Sequence, residues 1–279
     1  METNEKIKKV VKEIYNDIAL QSKEQNASSC CGAGGCSTVD YSIFSEDYSK
    51  LEGYNADADL ALGCGIPTQF AGIKSGQTLV DLGSGAGNDC FVARALVGEK
   101  GKVIGLDMTE AMIDKARMNA DKLSFNNVEF RLGDIEKMPI AGNIADVVIS
   151  NCVLNLVPDK QKAFLEIYRV LKPGAHFCIS DVVITGILPE KLKNVAEMYA
   201  GCVSGALQKE EYLTIIKAVG FKNIEIKTEK QIIIPNDILS NFLSSSEIEE
   251  MKNSSLGIFS LTVYAEKPSS CCSPNSGCC

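Results

Sequence analysis

The sequence predicts an α/β fold with a mostly parallel sheet and flanking helices. From Gln77 onward, short apolar runs alternate with helical stretches, a pattern typical of parallel strands joined by crossover helices. The chain has 279 residues, of which 45% are hydrophobic, so it can bury the core of one such domain with attachments. Five apolar runs before residue 187 and two after it predict a seven-stranded sheet with a small C-terminal α+β portion.

Five runs define the predicted strands of the main sheet. They are TLVDLG (78–83), KVIGLD (102–107), VEFRL (128–132), ADVVISN (145–151) and HFCISDVVI (176–184). Helices are predicted between them over 88–97, 109–122 and 161–171. Thr109 is expected to cap the second helix, and Pro173-Gly174 is expected to end the third.

The flanking segments extend this core at both ends. Apolar residues at helical spacing predict a helix over 5–20 that packs on the main domain. After Pro189 we expect helices over 190–199 and 209–219 and strands over 223–228 and 258–267. The predicted organisation is a helix and Cys/Gly-rich linker (1–50), a core (51–186), a C-terminal portion completing the sheet (187–267) and a disordered tail (268–279).

The charge and the apolar pattern exclude two classes of partner. The formal net charge is −8, with 36 acidic and 28 basic residues scattered along the chain, so no basic stripe is available for nucleic acid. No apolar run approaches the roughly 20 residues that span a bilayer, and the first 20 residues lack a signal-peptide pattern. We therefore expect a cytoplasmic protein.

Twelve cysteines are many for a cytoplasmic protein, where thiols stay reduced and more often bind metals or react than form disulfides. Seven of them lie in two Gly/Ser-rich segments, SSCCGAGGCS and SSCCSPNSGCC. These exposed pairs could capture a soft ion for the folded part or could be passive thiols. They lack the C-x₂-C spacing of a zinc hook.

A glycine turn follows the first predicted strand directly, in the run Asp81 to Gly87. Such a turn lets the backbone approach a nucleotide-like ligand closely, next to the free N–H groups of the following helix. Asp107 ends the second strand about 20 residues later, where a carboxylate can accept ribose hydroxyl hydrogens. Asp134 follows the third strand, where it can meet an adenine amino group. The third glycine comes one residue too early for a dinucleotide fingerprint, which disfavours a nicotinamide cofactor.

These features together resemble class I S-adenosylmethionine methyltransferases across residues 74–185, and VLKPGA after the third core helix fits the same pattern. The resemblance implies a Rossmann-like class I methyltransferase fold with S-adenosylmethionine as cofactor. The implied cofactor-binding residues are Tyr54, Asp81, Gly83, Ser84, Gly85, Gly87, Asp107, Met108, Asp134, Ile135 and Asn151.

Three further segments narrow the resemblance. GYNADADLALGCG, SNCVLNLVPDKQKA and YAGCVSGAL are similar to segments of arsenite methyltransferases, and the likeness covers most of residues 50–220. It implies that Cys64, Cys152 and Cys202 bind trivalent arsenic and that the N-terminal family cysteine is Cys30 or Cys31. It also implies a thiol reductant, glutathione or thioredoxin, as co-substrate and possible partner.

The chemistry of arsenic suits these residues independently. Trivalent arsenic is soft and thiophilic, and it keeps a lone pair after binding two or three sulfurs, so its methylation needs no general base. Cys152 follows an apolar strand and should lie at the carboxyl end of the sheet, where open α/β folds place ligands. The single histidine, His176, lies in a predicted strand and is expected to be structural, and Cys90 and Cys178 are expected in the core.

Three other functions stay open at the level of sequence. A C-methyltransferase of quinone-like or sterol-like molecules would have nearly the same cofactor half. A thiol-rich protein that sequesters arsenic or another soft metal would need no cofactor. An NAD-dependent enzyme is the most distant alternative, because of the glycine spacing.

Overall fold

The computed structural model describes residues 2–20, 46–193 and 205–269. Its centre is one twisted sheet in the order β3-β2-β1-β4-β5-β8-β7, with the short strand β6 paired to β5 as an eighth member. The strands are β1 (Thr78–Leu82), β2 (Lys102–Asp107), β3 (Val128–Leu132), β4 (Ala145–Asn151), β5 (Leu171–Thr185), β6 (Leu207–Gln208), β7 (Lys222–Gln231) and β8 (Gly257–Glu266).

The first five strands of this order run parallel to their neighbours, whereas β8 lies antiparallel to both β5 and β7. The mostly parallel α/β fold predicted from the alternating pattern is therefore confirmed. Leu79, Val80 and Leu82 of β1 have no exposed surface, because helices cover both faces of the sheet. That double coverage explains why the parallel strands are continuous apolar runs in the sequence.

Nine α-helices lie within the described residues. They are α1 (Glu2–Ala19), α2 (Pro67–Phe70), α3 (Asn88–Val97), α4 (Glu110–Lys122), α5 (Lys160–Val170), α6 (Glu190–Lys193), α7 (Lys209–Val219), α8 (Asn236–Leu239) and α9 (Ser245–Asn253). None of the helices in these three ranges is both long and apolar enough to cross a bilayer.

Two predicted helix ends differ from the structure. Thr109 occupies the N-cap position of α4, but its side chain bonds the Asp107 carboxylate instead of the helix backbone. Helix α5 ends at Val170, and β5 begins at the next residue, so Pro173-Gly174 lies within the strand. A proline is tolerated there because it stands near the start of the strand, where fewer backbone N–H groups are needed for pairing.

Helix α1 packs on α4, as the amphipathic pattern predicts. Val11 and Ile18 on its inner face are 2% and 3% exposed. At its end, Lys115 of α4 donates to the carbonyl oxygen of Ala19 over 3.1 Å, and Lys12 pairs with Glu110 over 3.2 Å. The helix is therefore held by both apolar burial and polar contacts.

The C-terminal strands continue the main sheet. Strand β8 pairs with β5 along ten consecutive residues, from His176↔Glu266 to Thr185↔Gly257. Helix α9, which is not among the predicted elements, begins with a capping box of Ser244 and Glu247. The predicted helix over 190–199 is described as far as Lys193, and most of the predicted tail lies outside the described residues.

Candidate active site

A cavity lies at the carboxyl ends of β1 to β4, where the strand order reverses between β1 and β4. Open parallel sheets place ligands at such a switch point, because the loops after the two neighbouring strands diverge there. The predicted site residues on its wall are Gly83, Ser84, Gly85, Asp107, Met108, Asp134, Ile135, Asn151 and Cys152.

The glycine turn after β1 forms the floor of the cavity. Gly83 has a φ of 67°, and a Cβ atom there would lie 2.4 Å from a methyl carbon of Val153. Gly87 has a φ of 101° and stands at the N-cap of α3. Only glycine fits both positions without strain or collision, so the backbone itself lines the cavity.

Asp107 fixes the shape of this turn. Its carboxylate accepts the Gly85 N–H over 3.0 Å and the Thr109 N–H over 2.8 Å. Burial raises the pKa of Asp107, and the backbone hydrogen bonds of Thr109 and Gly85 partly oppose that rise. The Asp107 carboxylate also lines the cavity, so a ligand bound there can reach it.

Asp134 lies beneath helix α1. Its carboxylate accepts the Glu136 N–H over 2.8 Å and lies 2.6 Å from the Lys8 ammonium, which also reaches Glu136 over 2.7 Å. Burial alone would lower the pKa of Lys8, but the hydrogen bonds to Asp134 and Glu136 outweigh it and raise that pKa. This pair ties α1 to the loop after β3 at the edge of the cavity.

The structure places three predicted cofactor residues behind the cavity wall. Tyr54 donates its hydroxyl over 3.1 Å to Asp59, which itself lines the cavity. Asp81 is 2% exposed and accepts the thiol of Cys90 over 3.2 Å. Burial and the neighbouring Asp89 raise the pKa of Asp81 well above its ordinary value. Gly87 belongs to the glycine turn but does not line the cavity.

Two polar atoms on the wall fit a polar ligand such as the predicted cofactor. The Ser84 Oγ and the Asn88 Oδ1 are both buried and have no hydrogen-bond partner within the described residues. A buried polar atom left unpaired costs about 1–3 kcal/mol, so each of these atoms suits a ligand that supplies the missing partner. Together with Asp107 and the glycine turn, these residues fit an adenosine-containing cofactor.

Cys64 lies in a loop that is pressed against the sheet. Its N–H donates to the Asn151 Oδ1 over 3.0 Å, and its carbonyl oxygen accepts the hydroxyl of Ser260 on β8. A Cβ at Gly65 would lie 2.5 Å from the Ser180 Oγ, and one at Gly63 would lie 2.5 Å from the Asn151 Nδ2. The two glycines therefore allow the Cys64 backbone to reach the end of β4 and the interior of β5.

Cys152 has an uncommon backbone conformation. Its φ is 60°, in the left-handed region that non-glycine residues rarely adopt. Its N–H donates to the Ser180 carbonyl oxygen over 2.8 Å, which holds this conformation at the end of β4. The residue is 7% exposed and lines the cavity.

Cys64 and Cys152 belong to the same buried apolar cluster, together with Val11 and Leu156. Cys202, Cys30 and Cys31 lie outside the described residues. Within residues 2–20, 46–193 and 205–269, no three His, Cys, Asp or Glu side chains are grouped closely enough to hold a metal ion. The structure therefore brings two of the predicted arsenic ligands into one cluster beside the cavity.

Asn151 joins this loop to two residues that the sequence did not single out. Its Nδ2 lies 2.8 Å from both the Tyr48 hydroxyl and the Gly65 carbonyl oxygen, and 3.1 Å from Asp89. Tyr48 also donates to Asp89 over 2.8 Å. Burial raises the pKa of Asp89 to about 6, against the hydrogen bonds of Asn151 and Tyr48. Asp89 lies two residues after the glycine turn, which is the one sequence signal for it.

The three residues expected to be structural are buried or half-buried away from the cavity. His176 bonds the Ala71 carbonyl oxygen and stacks on Tyr264, and burial lowers its pKa. Cys90 and Cys178 are fully buried in one core cluster. The core positions predicted for the two cysteines are confirmed, and His176 lies in a strand as predicted.

The first comparison defines the class of protein. A family model described as a methyltransferase domain matches residues 73–220. The structure of a Haemonchus contortus phosphoethanolamine N-methyltransferase in complex with S-adenosyl-L-methionine superposes with a TM-score of 0.59 at 21% identity, over 76% of this chain and 54% of that chain. The family model identifies the chain as a methyltransferase, and the superposition shows that it shares the fold of that enzyme.

More similar relatives define the family. An arsenite methyltransferase of Halobacterium salinarum is 40% identical over 282 residues, covering 95% of this chain and 67% of its own length. The human arsenite methyltransferase is 34% identical over 85% of this chain and 64% of its own length. An arsenic(III) S-adenosylmethionine methyltransferase from Chlamydomonas reinhardtii has a TM-score of 0.62 at 34% identity, covering 74% of this chain and 68% of that one. The chain belongs to the arsenite methyltransferase family.

Proposed function

We propose that this protein transfers a methyl group from S-adenosylmethionine to trivalent arsenic held by Cys64, Cys152 and Cys202. The observation that carries the proposal is the position of two thiols. Cys64 and Cys152 come from separate segments, are buried in one apolar cluster, and stand beside the cavity that the glycine turn lines. Soft thiolates in an apolar surrounding suit a soft, thiophilic substrate.

The cofactor would be held by residues on three neighbouring strand ends. Asp107 and Asp134 would accept hydrogen bonds from the ribose and the adenine, and Ser84 and Asn88 would find partners on the remaining polar groups. Met108 and Ile135 lie on the same wall and would cover the apolar face of the adenine ring. When bound there, S-adenosylmethionine supplies an electrophilic methyl group on a sulfonium centre.

The protein's part in the reaction is to orient arsenic and to exclude water. Two or three thiolates leave the arsenic lone pair unshared, and no proton has to leave the nucleophile. A general base is therefore unnecessary, which agrees with the structural role of His176. Burial of Cys64 and Cys152, at 1% and 7% exposure, keeps water away from the arsenic.

A thiol reductant completes the proposed cycle. The arsenic lone pair would form the bond to the methyl carbon as the sulfur–methyl bond of the sulfonium breaks, with S-adenosylhomocysteine as the leaving group, and the arsenic would become pentavalent. Two thiols would then give two electrons to restore the trivalent state as they form a disulfide. Glutathione or thioredoxin would supply these thiols. A cytoplasmic location, where such reductants are abundant, and a role in arsenic detoxification fit this requirement.

The test is an assay of the purified full-length chain with arsenite, S-adenosylmethionine and a thiol reductant, followed by separation of the arsenic species. We expect methylated arsenicals that depend on the cofactor. Arsenite that binds but stays unmethylated would indicate a sequestering protein, and the absence of both binding and methylation would refute the proposed substrate.

A second candidate rests on a shorter match. An Escherichia coli ubiquinone/menaquinone biosynthesis C-methyltransferase is 36% identical over 112 residues, which cover 40% of this chain. If this chain methylated such a carbon acceptor, a demethylated quinone added to the same assay would be methylated and arsenite would not. The buried thiol cluster favours arsenic, because carbon methylation gives the thiols no role.

A further inference from the structure

We propose that Asp89 is a positioning residue that couples the cofactor cavity to arsenic binding at Cys64 through the side chain of Asn151. The inference rests on the proposed function and deepens it, because it assigns a role in the same site to residues outside the glycine turn and the thiol set. Its basis is the hydrogen bonding of the Asn151 side-chain amide, whose oxygen contacts Cys64 and whose nitrogen contacts Asp89.

The Asn151 amide has only one orientation that satisfies its neighbours. Its oxygen accepts the Cys64 N–H over 3.0 Å, and its nitrogen faces the Gly65 carbonyl oxygen at 2.8 Å and the Asp89 carboxylate at 3.1 Å. A rotated amide would set N–H against N–H at Cys64 and oxygen against oxygen at Asp89. The Cys64 loop is therefore held by an amide whose nitrogen contacts Asp89 as well as Gly65 and Tyr48.

Tyr48 braces the same carboxylate. Its side chain is 5% exposed, and its hydroxyl lies 2.8 Å from one Asp89 oxygen while Asn151 approaches the other. Asp89 stands in the first turn of α3, where the helix dipole favours a negative charge. A neutral side chain at this position would not accept from both partners as a carboxylate does.

Asp89 also lines the cavity proposed for the cofactor, near the glycine turn. A cationic ligand in that cavity attracts the carboxylate and restricts its position, and the same carboxylate fixes Asn151. The Asp89 carboxylate contacts both the cavity and the Asn151 amide that holds the Cys64 loop. Once one ligand, the cofactor or arsenite, has ordered this carboxylate, the other ligand loses less conformational entropy when it binds. The two ligands should therefore bind with positive coupling, equal in both directions.

The coupling can be measured without turnover. Arsenite is titrated calorimetrically into the full-length protein alone, with S-adenosylhomocysteine, and with sinefungin, an unreactive analogue that carries an ammonium group in place of the sulfonium. In the wild type we expect sinefungin to tighten arsenite binding by about fivefold or more, within the usual range of such coupling. S-adenosylhomocysteine, whose sulfur carries no charge, should have a smaller effect on arsenite binding.

The decisive variant is Asp89→Asn, which keeps the shape and removes the charge. We expect the sinefungin effect on arsenite binding to fall to within about twofold, whereas Asp114→Asn on the exposed face of α4 keeps the wild-type effect. If Asp89→Asn does not fold, Tyr48→Phe removes the brace and should reduce the effect in the same direction. A wild-type effect in the folded variant, or no coupling in the wild type, overturns the inference. Failure of the wild type to bind arsenite refutes the proposed function instead.

Discussion

At the scale of single residues, Cys152 has a strained backbone conformation and is also a proposed arsenic ligand. A left-handed conformation costs a non-glycine residue about 1–2 kcal/mol, and it persists only where the surroundings impose it. Here the Ser180 carbonyl oxygen accepts the Cys152 N–H, and the residue before Cys152 is the amide that holds the Cys64 loop. The strained residue is therefore the one that the proposal needs on the wall of the cofactor cavity.

Asp181, the next residue after Ser180, makes the stability of the fold depend on pH. Asp181 is 1% exposed, and burial raises its pKa to about 7, against the attraction of Lys160 and the hydrogen bonds of Val182 and Tyr212. In the unfolded chain an aspartate titrates near pH 4. A carboxyl group whose pKa is higher in the folded state stabilises the fold below the unfolded pKa, and that contribution is lost as the pH rises through about 7.

Asp181→Asn should therefore change how stability depends on pH. Between pH 5 and pH 8 the wild type should lose roughly 2–3 kcal/mol more of its free energy of unfolding than the variant does. Urea unfolding at both pH values measures the difference. Asp121→Asn, on the exposed face of α4, is the matched control, and equal pH dependence of Asp181→Asn and the wild type would contradict the assigned burial effect.

At the scale of elements, helix α1 adds a part of the cavity wall from outside the methyltransferase core. Lys8, Val11 and Tyr15 from successive turns of its inner face line the cavity, and Lys8 pairs with Asp134 and Glu136. Val11 also packs in the cluster that holds Cys64 and Cys152. The helix therefore contacts both the proposed adenine side and the proposed arsenic side of the site.

Val11→Ser should loosen this helix. Val11 is 2% exposed, and loss of a buried valine side chain costs about 2 kcal/mol, equivalent to roughly a 30-fold increase in local opening. We expect faster amide hydrogen exchange along α1 and a weaker affinity for S-adenosylhomocysteine. The control is Val10→Ser on the same helix, where the side chain is 45% exposed. Equal exchange rates in the two variants would contradict the packing described for α1.

Local patterns predicted most elements of the fold. The bounds of α3, β2, β3, β4 and α7 agree with the runs identified in the sequence, because apolar periodicity reports burial directly. The two-residue strand β6 and the four-residue helix α8 carry too few residues for any period. Their positions follow from pairing and packing with distant segments.

The site was predictable only where it follows a strand end. The glycine turn and Cys152 come directly after strands, Asp107 ends β2, and Asp134 lies two residues beyond β3. The fold class therefore places them on one edge of the sheet. Tyr48 gives no such signal, because it meets Asn151 across 103 positions of the chain. Tyr54 was predicted only from the resemblance, and the structure shows its hydroxyl bonded to Asp59, which lines the cavity.

At the scale of the whole molecule, the thiol site depends on segments from the full length of the described chain. The Cys64 loop is held by Asn151 at the end of β4, by Ser260 on β8 and, through Gly65, by close contact with Ser180 on β5. The C-terminal strands therefore support the site as well as the sheet. A protein that only stored thiols would have no need of this arrangement beside a cofactor cavity.

The most direct test of the central claim compares Cys152→Ser with Cys178→Ser in the arsenite methylation assay. Both cysteines are buried, so each variant places the same hydroxyl in the interior, but only Cys152 lines the cavity. We predict that Cys152→Ser binds S-adenosylhomocysteine normally and loses methylation by about 100-fold or more, because the remaining thiolates no longer orient the arsenic. Folded Cys178→Ser should keep most of the activity. Wild-type methylation by Cys152→Ser would contradict the account.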